Sequence, residues 1–136
     1  MTRMTGGCAC GAVRYEITAE PMMQVHCQCG KCRKLSGTGH TDLMGVPRGA
    51  VKLAGKLSIW SYTADSGSKA SRGHCPSCGS PVTGETSGLP GLMVIMAGSL
   101  DDPSVFKPQA AVFTESGYGW DALGEGLPRF PKMPPM

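Results

Sequence analysis

Seven cysteines in three tight clusters are the residues of this chain whose type and spacing indicate chemistry. A structural zinc site takes four protein ligands, whereas a catalytic zinc site takes three and keeps one position open. Seven cysteines divide as four plus three, so their number predicts one closed metal site and one open site at which chemistry can occur. The clusters are Cys8 with Cys10, Cys27 with Cys29 and Cys32, and Cys75 with Cys78.

The last cluster has the form of a zinc knuckle. Two intervening residues let the sulfurs of Cys75 and Cys78 reach one metal, and Gly79 can adopt the left-handed backbone that such a tight turn needs. The alternative is a thioredoxin-like redox pair, which requires a following helix. Gly79, Pro81 and Gly84 disfavour a helix here, so the segment favours metal binding.

The middle cluster, Cys27, Cys29 and Cys32, can occupy three corners of a tetrahedron around a cation. The fourth corner can be water, a substrate thiol or His26. Spacing alone leaves other divisions open: only two of the three cysteines bind metal, or two of them join the last cluster and leave the first one free. An iron–sulfur cluster also uses cysteines, but the spacing matches neither ferredoxin pattern closely.

Composition indicates one domain over residues 1–136, rich in turns. Gly occurs 20 times and Pro 11 times, and apolar residues make up 40% of the chain. The formal charge of +3 counts cysteine as neutral. Seven thiolates and two zinc ions would cancel it, so the charge does not indicate nucleic-acid binding. The long gap between the first and last cysteine pairs also disfavours a nucleic-acid-binding zinc ribbon.

The N-terminal residues 1–7 contain no apolar signal region, and the longest apolar stretch, Leu92 to Ala97, is too short to cross a membrane. An odd number of cysteines disfavours a fully paired disulfide framework. We therefore expect a cytoplasmic protein with reduced thiols and no membrane partner. Leu92 to Ala97 is a core strand or an interface strand, and the oligomeric state is left open.

The residue pattern predicts a mainly β fold of antiparallel sheets. Apolar alternation or apolar runs mark the strands, and glycines and prolines separate them. A short helical turn is expected near Cys29 to Leu35, and the proline-rich tail from Leu127 to Met136 should be extended. The predicted strands are Val13 to Ile17, Val51 to Leu53, Leu57 to Tyr62, Leu92 to Ala97 and Ala110 to Thr114, the second and third forming a hairpin through Ala54-Gly55-Lys56.

With these motifs the chain resembles the glutathione-dependent formaldehyde-activating enzyme family, which also contains centromere protein V. The matching pieces occur in family order over nearly the whole chain. The strongest are Gly6-Gly7-Cys8-Ala9-Cys10-Gly11-Ala12-Val13-Arg14-Tyr15, His26-Cys27-Gln28-Cys29-Gly30-Lys31-Cys32-Arg33 and Cys75-Pro76-Ser77-Cys78-Gly79-Ser80. Weaker ones are Ala97-Gly98-Ser99-Leu100-Asp101-Asp102-Pro103 and Leu127-Pro128-Arg129-Phe130.

The resemblance implies a β-tent fold stapled by a four-cysteine zinc site at Cys8, Cys10, Cys75 and Cys78. It also implies a second, exposed catalytic zinc at Cys27, Cys29 and Cys32. The implied activity is that of a carbon–sulfur lyase, in which a zinc-bound thiolate attacks an aldehyde. Glutathione and formaldehyde are the implied partners, and S-hydroxymethylglutathione is the product.

Other side chains near the second site are candidates for substrate binding and proton transfer. Lys31, Arg33 and Lys34 can attract a substrate carboxylate, or they form an ordinary solvated basic turn. Histidine is the side-chain type suited to proton transfer near neutral pH, so His26 and His40 are candidate proton carriers, or they are structural histidines. His74 is expected in a supporting or surface position.

Two positions differ from the family pattern. Gln28 stands where relatives often have a second histidine, and Ala111 stands where many have a histidine in the late strand. The chain is also shorter than the enzyme that gives the family its name. A non-enzymatic zinc-binding module and a redox sensor that releases zinc on oxidation are the alternative functions.

Overall fold

Ten short β-strands and one short helix form the regular structure of residues 3–134, the part of the chain that this computed structural model describes. The predicted mainly β class is confirmed. The strands are β1 (Met4–Gly7), β2 (Arg14–Ile17), β3 (Met23–Cys27), β4 (Thr41–Pro47), β5 (Val51–Ala54), β6 (Ser58–Thr63), β7 (Lys69–His74), β8 (Pro81–Thr86), β9 (Leu92–Met96) and β10 (Ala110–Val112). The helix α1 is Gly30–Ser36, and single 3-10 turns lie at Arg48–Ala50, Ala97–Ser99, Pro103–Val105 and Thr114–Ser116.

The larger sheet has seven strands in the order β10-β3-β4-β9-β8-β7-β6. Its neighbours are antiparallel except β10, which runs parallel to β3. The sheets are therefore antiparallel and mixed, with one parallel pair at the edge. The predicted strand at Leu92 to Ala97 lies in the middle of this sheet as β9, and its apolar run is explained by burial of Met93, Ile95 and Met96.

The smaller sheet has three antiparallel strands in the order β1-β2-β5, and it shares the main hydrophobic core with the larger sheet. Tyr15 and Ile17 alternate with exposed or half-buried residues on β2, as expected for a strand with one buried face. They pack with Met44, Val46 and Ile95 of the larger sheet. Burial of these side chains holds the two sheets together.

A second, smaller apolar cluster lies where α1 meets β3 and β10. It contains Val25, Cys27, Cys32, Ala110 and Val112. Two of the predicted metal ligands are thus core residues of this cluster. The predicted helix near Cys29 to Leu35 is confirmed, with its first and last helical residues at Gly30 and Ser36.

Most of the other predicted elements are also confirmed. The strands expected from Val13 and Ala110 are present as β2 and β10, although both are shorter than predicted. The tail from Leu127 runs beside β10, where Arg129 bridges Ala111 and the Phe130 N–H donates to the Ala111 carbonyl at 2.9 Å. The last two residues of that predicted tail lie outside the described part of the chain.

The hairpin predicted from Val51 to Tyr62 is wrong. β5 pairs with β2 in the smaller sheet, whereas β6 pairs with β7 in the larger one. Gly55 makes the change of sheet possible, because its φ is +94° and a Cβ there would lie 2.2 Å from the Ala12 carbonyl oxygen. Glycine is therefore required at position 55 by the close approach of the Ala12 backbone, and not by a hairpin turn.

Among residues 3–134 the structure contains no helix long and apolar enough to cross a bilayer.

A close contact between the two sheets depends on Gly6. This glycine bridges Leu100, just after β9, and a Cβ on it would lie 2.3 Å from the Tyr15 hydroxyl oxygen and 2.5 Å from the Ser99 carbonyl oxygen. The Tyr15 and Ser99 hydroxyls are hydrogen-bonded at 2.7 Å. Burial raises the pKa of Tyr15 to about 12, so this hydroxyl stays protonated.

Replacing Gly6 with Ala should therefore destabilise the fold. The new methyl group has no space between Tyr15 and Ser99, and such overpacking costs about 1–3 kcal/mol. Gly49→Ala is the matched control, because a Cβ at Gly49 meets no atom within 4 Å. Urea unfolding of the two zinc-loaded variants measures the difference, and equal midpoints would contradict the packing described here.

Candidate metal centres

Four of the seven cysteines meet between two turns that are far apart in the chain. Cys8 and Cys10 lie in the turn between β1 and β2, and Cys75 and Cys78 lie in the turn between β7 and β8. The sulfurs of Cys8 and Cys10 are 3.6 Å apart, and those of Cys10 and Cys75 are 3.7 Å apart. All four sulfurs lie within 4.8 Å of one another, which is a separation that one cation can span.

The two turns donate hydrogen bonds to these sulfurs. The Val13 N–H donates to Cys8 at 3.2 Å, and the Ser77 N–H donates to Cys75 at 3.4 Å. Gly79 has φ +80°, so the left-handed conformation predicted after the knuckle is confirmed. Backbone N–H groups aimed at sulfur favour the thiolate, the form that binds metal.

The pKa values of Cys78 and Cys10 differ because of their different hydrogen bonds. A hydrogen bond from the Ser80 hydroxyl lowers the pKa of Cys78 to about 5. The backbone N–H of Ala12 acts in the same direction on Cys10, but hydrogen bonds with the other cysteines, Cys8 first, raise the pKa of Cys10 to about 11. Without a cation the cluster therefore shares protons among its sulfurs, and a dication would replace those protons.

The other three cysteines meet at the junction of β3 and α1. Cys27 ends β3, Cys29 caps the N-terminus of the helix by accepting from the Cys32 N–H at 3.3 Å, and Cys32 lies in the first turn. Their sulfurs lie within 4.8 Å of one another. Cys27 and Cys32 are buried while Cys29 is half-buried, so the cluster reaches the surface at Cys29.

Arg72 is a neighbour of this cluster that the sequence analysis missed. It lies on β7, and its Nη2 donates to the Cys32 sulfur at 3.4 Å, while its Nε donates to the Tyr62 hydroxyl at 3.2 Å. Burial works against the charge of Arg72, but Cys32 outweighs that effect and the pKa of Arg72 is raised. In the sequence Arg72 is a single arginine between Ser71 and Gly73. Nothing in that segment indicated that Cys32 would be its partner.

The charge within the cluster is concentrated on Cys29. Hydrogen bonds from Cys27 and then Cys32 lower the pKa of Cys29 to about 2, and the same bond with Cys29 raises the pKa of Cys27. Arg72 adds a coulombic effect that also lowers the pKa of Cys29. The partly exposed sulfur is therefore the thiolate of the set.

Two of the three predicted basic residues of α1 lie over aromatic rings. The Lys31 Nζ lies 5.5 Å from the centre of the Tyr62 ring, and the Arg33 guanidinium lies 5.4 Å from that of Tyr118. Such cation–π contacts restrain long side chains while leaving their charge available. Lys34 is exposed and makes no contact of this kind among the described residues.

The predicted histidines His26 and His40 lie together, with a ring-centre separation of 5.0 Å. Asp42 and Asp121 are hydrogen-bonded to them and were missed by the sequence analysis. Gln28 is buried and its Nε2 donates to Asp121 at 3.0 Å. Burial works against ionisation of Asp121, but the hydrogen bonds from Gln28 and His40 lower its pKa.

An open groove of about 1020 Å³ lies beside several of these residues, at the end of β9. In the described part of the chain β9 pairs with β4 only as far as Leu43, so the β4 residues before Leu43 have no partner strand on the β9 side. The lining residues include His40, Asp42, Arg72, His74 and Cys8. His74 lies in the groove wall beside Cys75, and the groove passes from the four-cysteine cluster to Arg72 near the three-cysteine cluster.

The donor sets fit zinc. Cysteine thiolates are soft ligands that favour zinc over magnesium or calcium, four in a closed site and three in an open one. All seven cysteines lie within residues 3–134, and none forms a disulfide. Two cysteine clusters can each bind a metal ion, and their membership is the one that the family resemblance implied.

Comparisons with known proteins agree with the fold and with the family resemblance. The chain is similar to a crystal structure of a protein from Rhodobacter sphaeroides, with a TM-score of 0.60 and 16% sequence identity over 93% of this chain and 99% of that one. At this identity the likeness concerns the fold. The family model described as "Glutathione-dependent formaldehyde-activating enzyme" matches residues 3–116, which include all seven cysteines. The chain therefore belongs to the glutathione-dependent formaldehyde-activating enzyme family.

Proposed function

We propose that this chain is a zinc-dependent carbon–sulfur lyase that joins a small thiol such as glutathione to a small aldehyde such as formaldehyde. The observation that carries the proposal is the three-cysteine cluster, in which Cys27 and Cys32 are buried while Cys29 reaches the surface. Family membership indicates a glutathione-dependent, aldehyde-activating function. The reaction, its substrates and a cytoplasmic location are the proposed part.

In this proposal each cysteine cluster holds one zinc ion. Cys8, Cys10, Cys75 and Cys78 hold the structural ion, and Cys27, Cys29 and Cys32 hold the catalytic one. Zinc with three protein ligands keeps a position open, where it lowers the pKa of a thiol and polarises a carbonyl group. In the reaction a sulfur–carbon bond forms, the carbonyl π electrons move to oxygen, and the thiol proton ends on that oxygen.

The protein side chains have separate parts in this reaction. Arg72 donates to Cys32 and holds that sulfur in the position from which it would bind the metal. Lys31 and Arg33, restrained by Tyr62 and Tyr118, attract the carboxylates of a thiol such as glutathione. His26 and His40 remain the candidates for carrying the thiol proton.

Cys29→Ser should abolish the activity and leave the fold intact, because Cys29 is half-buried and caps only the seven-residue helix α1. The measurement is exchange NMR on glutathione and formaldehyde, in which the zinc-loaded protein should accelerate adduct exchange beyond the spontaneous rate. Cys10→Ser, in the four-cysteine cluster, is the comparison variant. It should lower the free energy of unfolding more than Cys29→Ser does. If the wild-type protein gives no acceleration, the lyase proposal fails for this substrate pair and a zinc-binding module is favoured.

Zinc should leave the two clusters at different rates. A site with three protein ligands and an open position releases its ion to a chelator before a closed site with four ligands does. We expect two zinc ions per chain by elemental analysis, one of them removed rapidly by a chromogenic chelator without unfolding. Simultaneous release of both ions with loss of the circular dichroism signal would contradict the division into a structural and a catalytic site.

Arg72→Met should weaken zinc binding at the three-cysteine cluster about 10–100-fold, the usual effect of losing a hydrogen bond to a metal ligand. Arg48→Met is the control, since Arg48 pairs with Glu85 away from both clusters and is more than half exposed. Chelator competition measures the affinity of the labile ion. Equal affinities in the two variants would show that Arg72 only packs against the cluster.

A further inference from the structure

A third group of ligand-type side chains lies outside the cysteine clusters, at His26, His40 and Asp42. His26 and Asp42 are direct partners across β3 and β4, and His40 immediately precedes β4. One Asp42 oxygen lies 2.5 Å from the His26 Nδ1 and 3.2 Å from the His40 Nε2. Donor atoms of the three residues lie within 4.8 Å of one another.

The orientation of His40 is that of a metal-binding histidine. Its Nδ1 lies 2.8 Å and 3.0 Å from the two oxygens of Asp121, so the Nε2 is the nitrogen that faces Asp42. In metal sites the non-ligating ring nitrogen of a histidine usually donates to a carboxylate in this way. Gln28 donates to the same carboxylate and keeps Asp121 in position.

Charge and access also favour a cation. Two carboxylates, Asp42 and Asp121, surround the imidazoles, so the group carries net negative charge when both histidines are neutral. The side chains of His26, His40 and Asp42 are 14%, 20% and 37% exposed, and the last two line the groove at the end of β9. A hydrated ion can therefore reach them.

The group is separate from the three-cysteine cluster although the two are adjacent in sequence. His26 and Cys27 are consecutive residues of β3, and consecutive side chains of a strand point to opposite faces of the sheet. Cys27 packs in the small apolar cluster with α1, whereas the His26 ring contacts His40 and Phe106. A metal held by the histidines would therefore not share ligands with the cysteines.

We propose that His26, His40 and Asp42 form a third metal site, with two imidazoles and one carboxylate as ligands. This donor set suits a divalent transition metal such as iron(II), cobalt(II), nickel(II) or zinc, and it leaves further positions for water or a ligand in the groove. The proposal does not depend on the lyase activity, in which His26 and His40 are candidate proton carriers only while they hold no metal ion.

Cobalt(II) is the probe, added to protein that already holds two equivalents of zinc in its cysteine clusters. We expect one Co²⁺ per chain to bind and to shift the imidazole NMR signals of His26 and His40. Thiolate-to-cobalt charge-transfer absorption should stay absent, because no sulfur is a ligand. Unchanged imidazole signals, or the appearance of that absorption with cobalt uptake, would overturn the proposal.

Variants separate a metal site from a hydrogen-bonded network. Asp42→Asn and His40→Asn each remove a ligand and should abolish the cobalt-induced shifts, and Asp121→Asn should weaken binding about 10–100-fold through its effect on His40. His74→Asn, the matched control, removes the one histidine outside the group and should bind Co²⁺ like the wild type. Two ligand variants are used so that a folding defect in one, checked by circular dichroism, leaves the other decisive. Wild-type affinity in the folded ligand variants would show a hydrogen-bonded network only.

Discussion

The meeting of four sulfurs from two distant turns is the contact on which the arrangement of the two sheets depends. Cys10 and Cys75 are separated by 65 positions in the chain, yet their sulfurs are 3.7 Å apart. The first turn belongs to the smaller sheet and the second to the larger one, so this contact sets how the sheets face each other. Cys8 and Cys75 are also members of the main core, so the cluster and the apolar packing support the same geometry. Four thiolates at this distance repel one another without a cation, which links metal binding to folding.

The three-cysteine cluster differs from the four-cysteine cluster in its place in the chain and in its burial, and these differences fit the proposed catalytic use. It comes from one short segment, from Cys27 at the end of β3 to Cys32 in α1, so it closes no long loop and adds little to the global fold. Burial of Cys27 and Cys32 fixes two sulfurs rigidly, and the half-buried Cys29 supplies the thiolate at the surface. Fixed ligands with one accessible side favour a site that binds and releases a partner over a site that only holds the fold together.

The sequence was informative for some features with a local signal, although the strands β1, β3, β4, β7 and β8 were not predicted. The apolar run at Leu92, the short helix near Cys29 and the turn at Gly79 were each predicted correctly, because neighbouring residues determine them. Assigning the seven cysteines to two clusters required the family resemblance, because their spacing is compatible with several groupings. The false hairpin at Gly55 and the missed partner Arg72 have a common cause: both depend on contacts with strands far away in the chain. The parallel pairing of β10 with β3 depends on such contacts too.

Gln28, which stands between Cys27 and Cys29, stabilises the structure around the second cysteine cluster. Gln28 is buried between the cysteines, donates to Asp121, and lies against Gly117, where a Cβ would approach its side-chain oxygen to 2.5 Å. Through Asp121 it is connected to His40, which lines the groove. A histidine at this position would add a titratable group and a fourth possible ligand beside the cysteines, whereas the glutamine can only donate and accept hydrogen bonds. Gln28 therefore helps to hold His40 and the segment around Asp121 in place, and it adds no titratable group between Cys27 and Cys29.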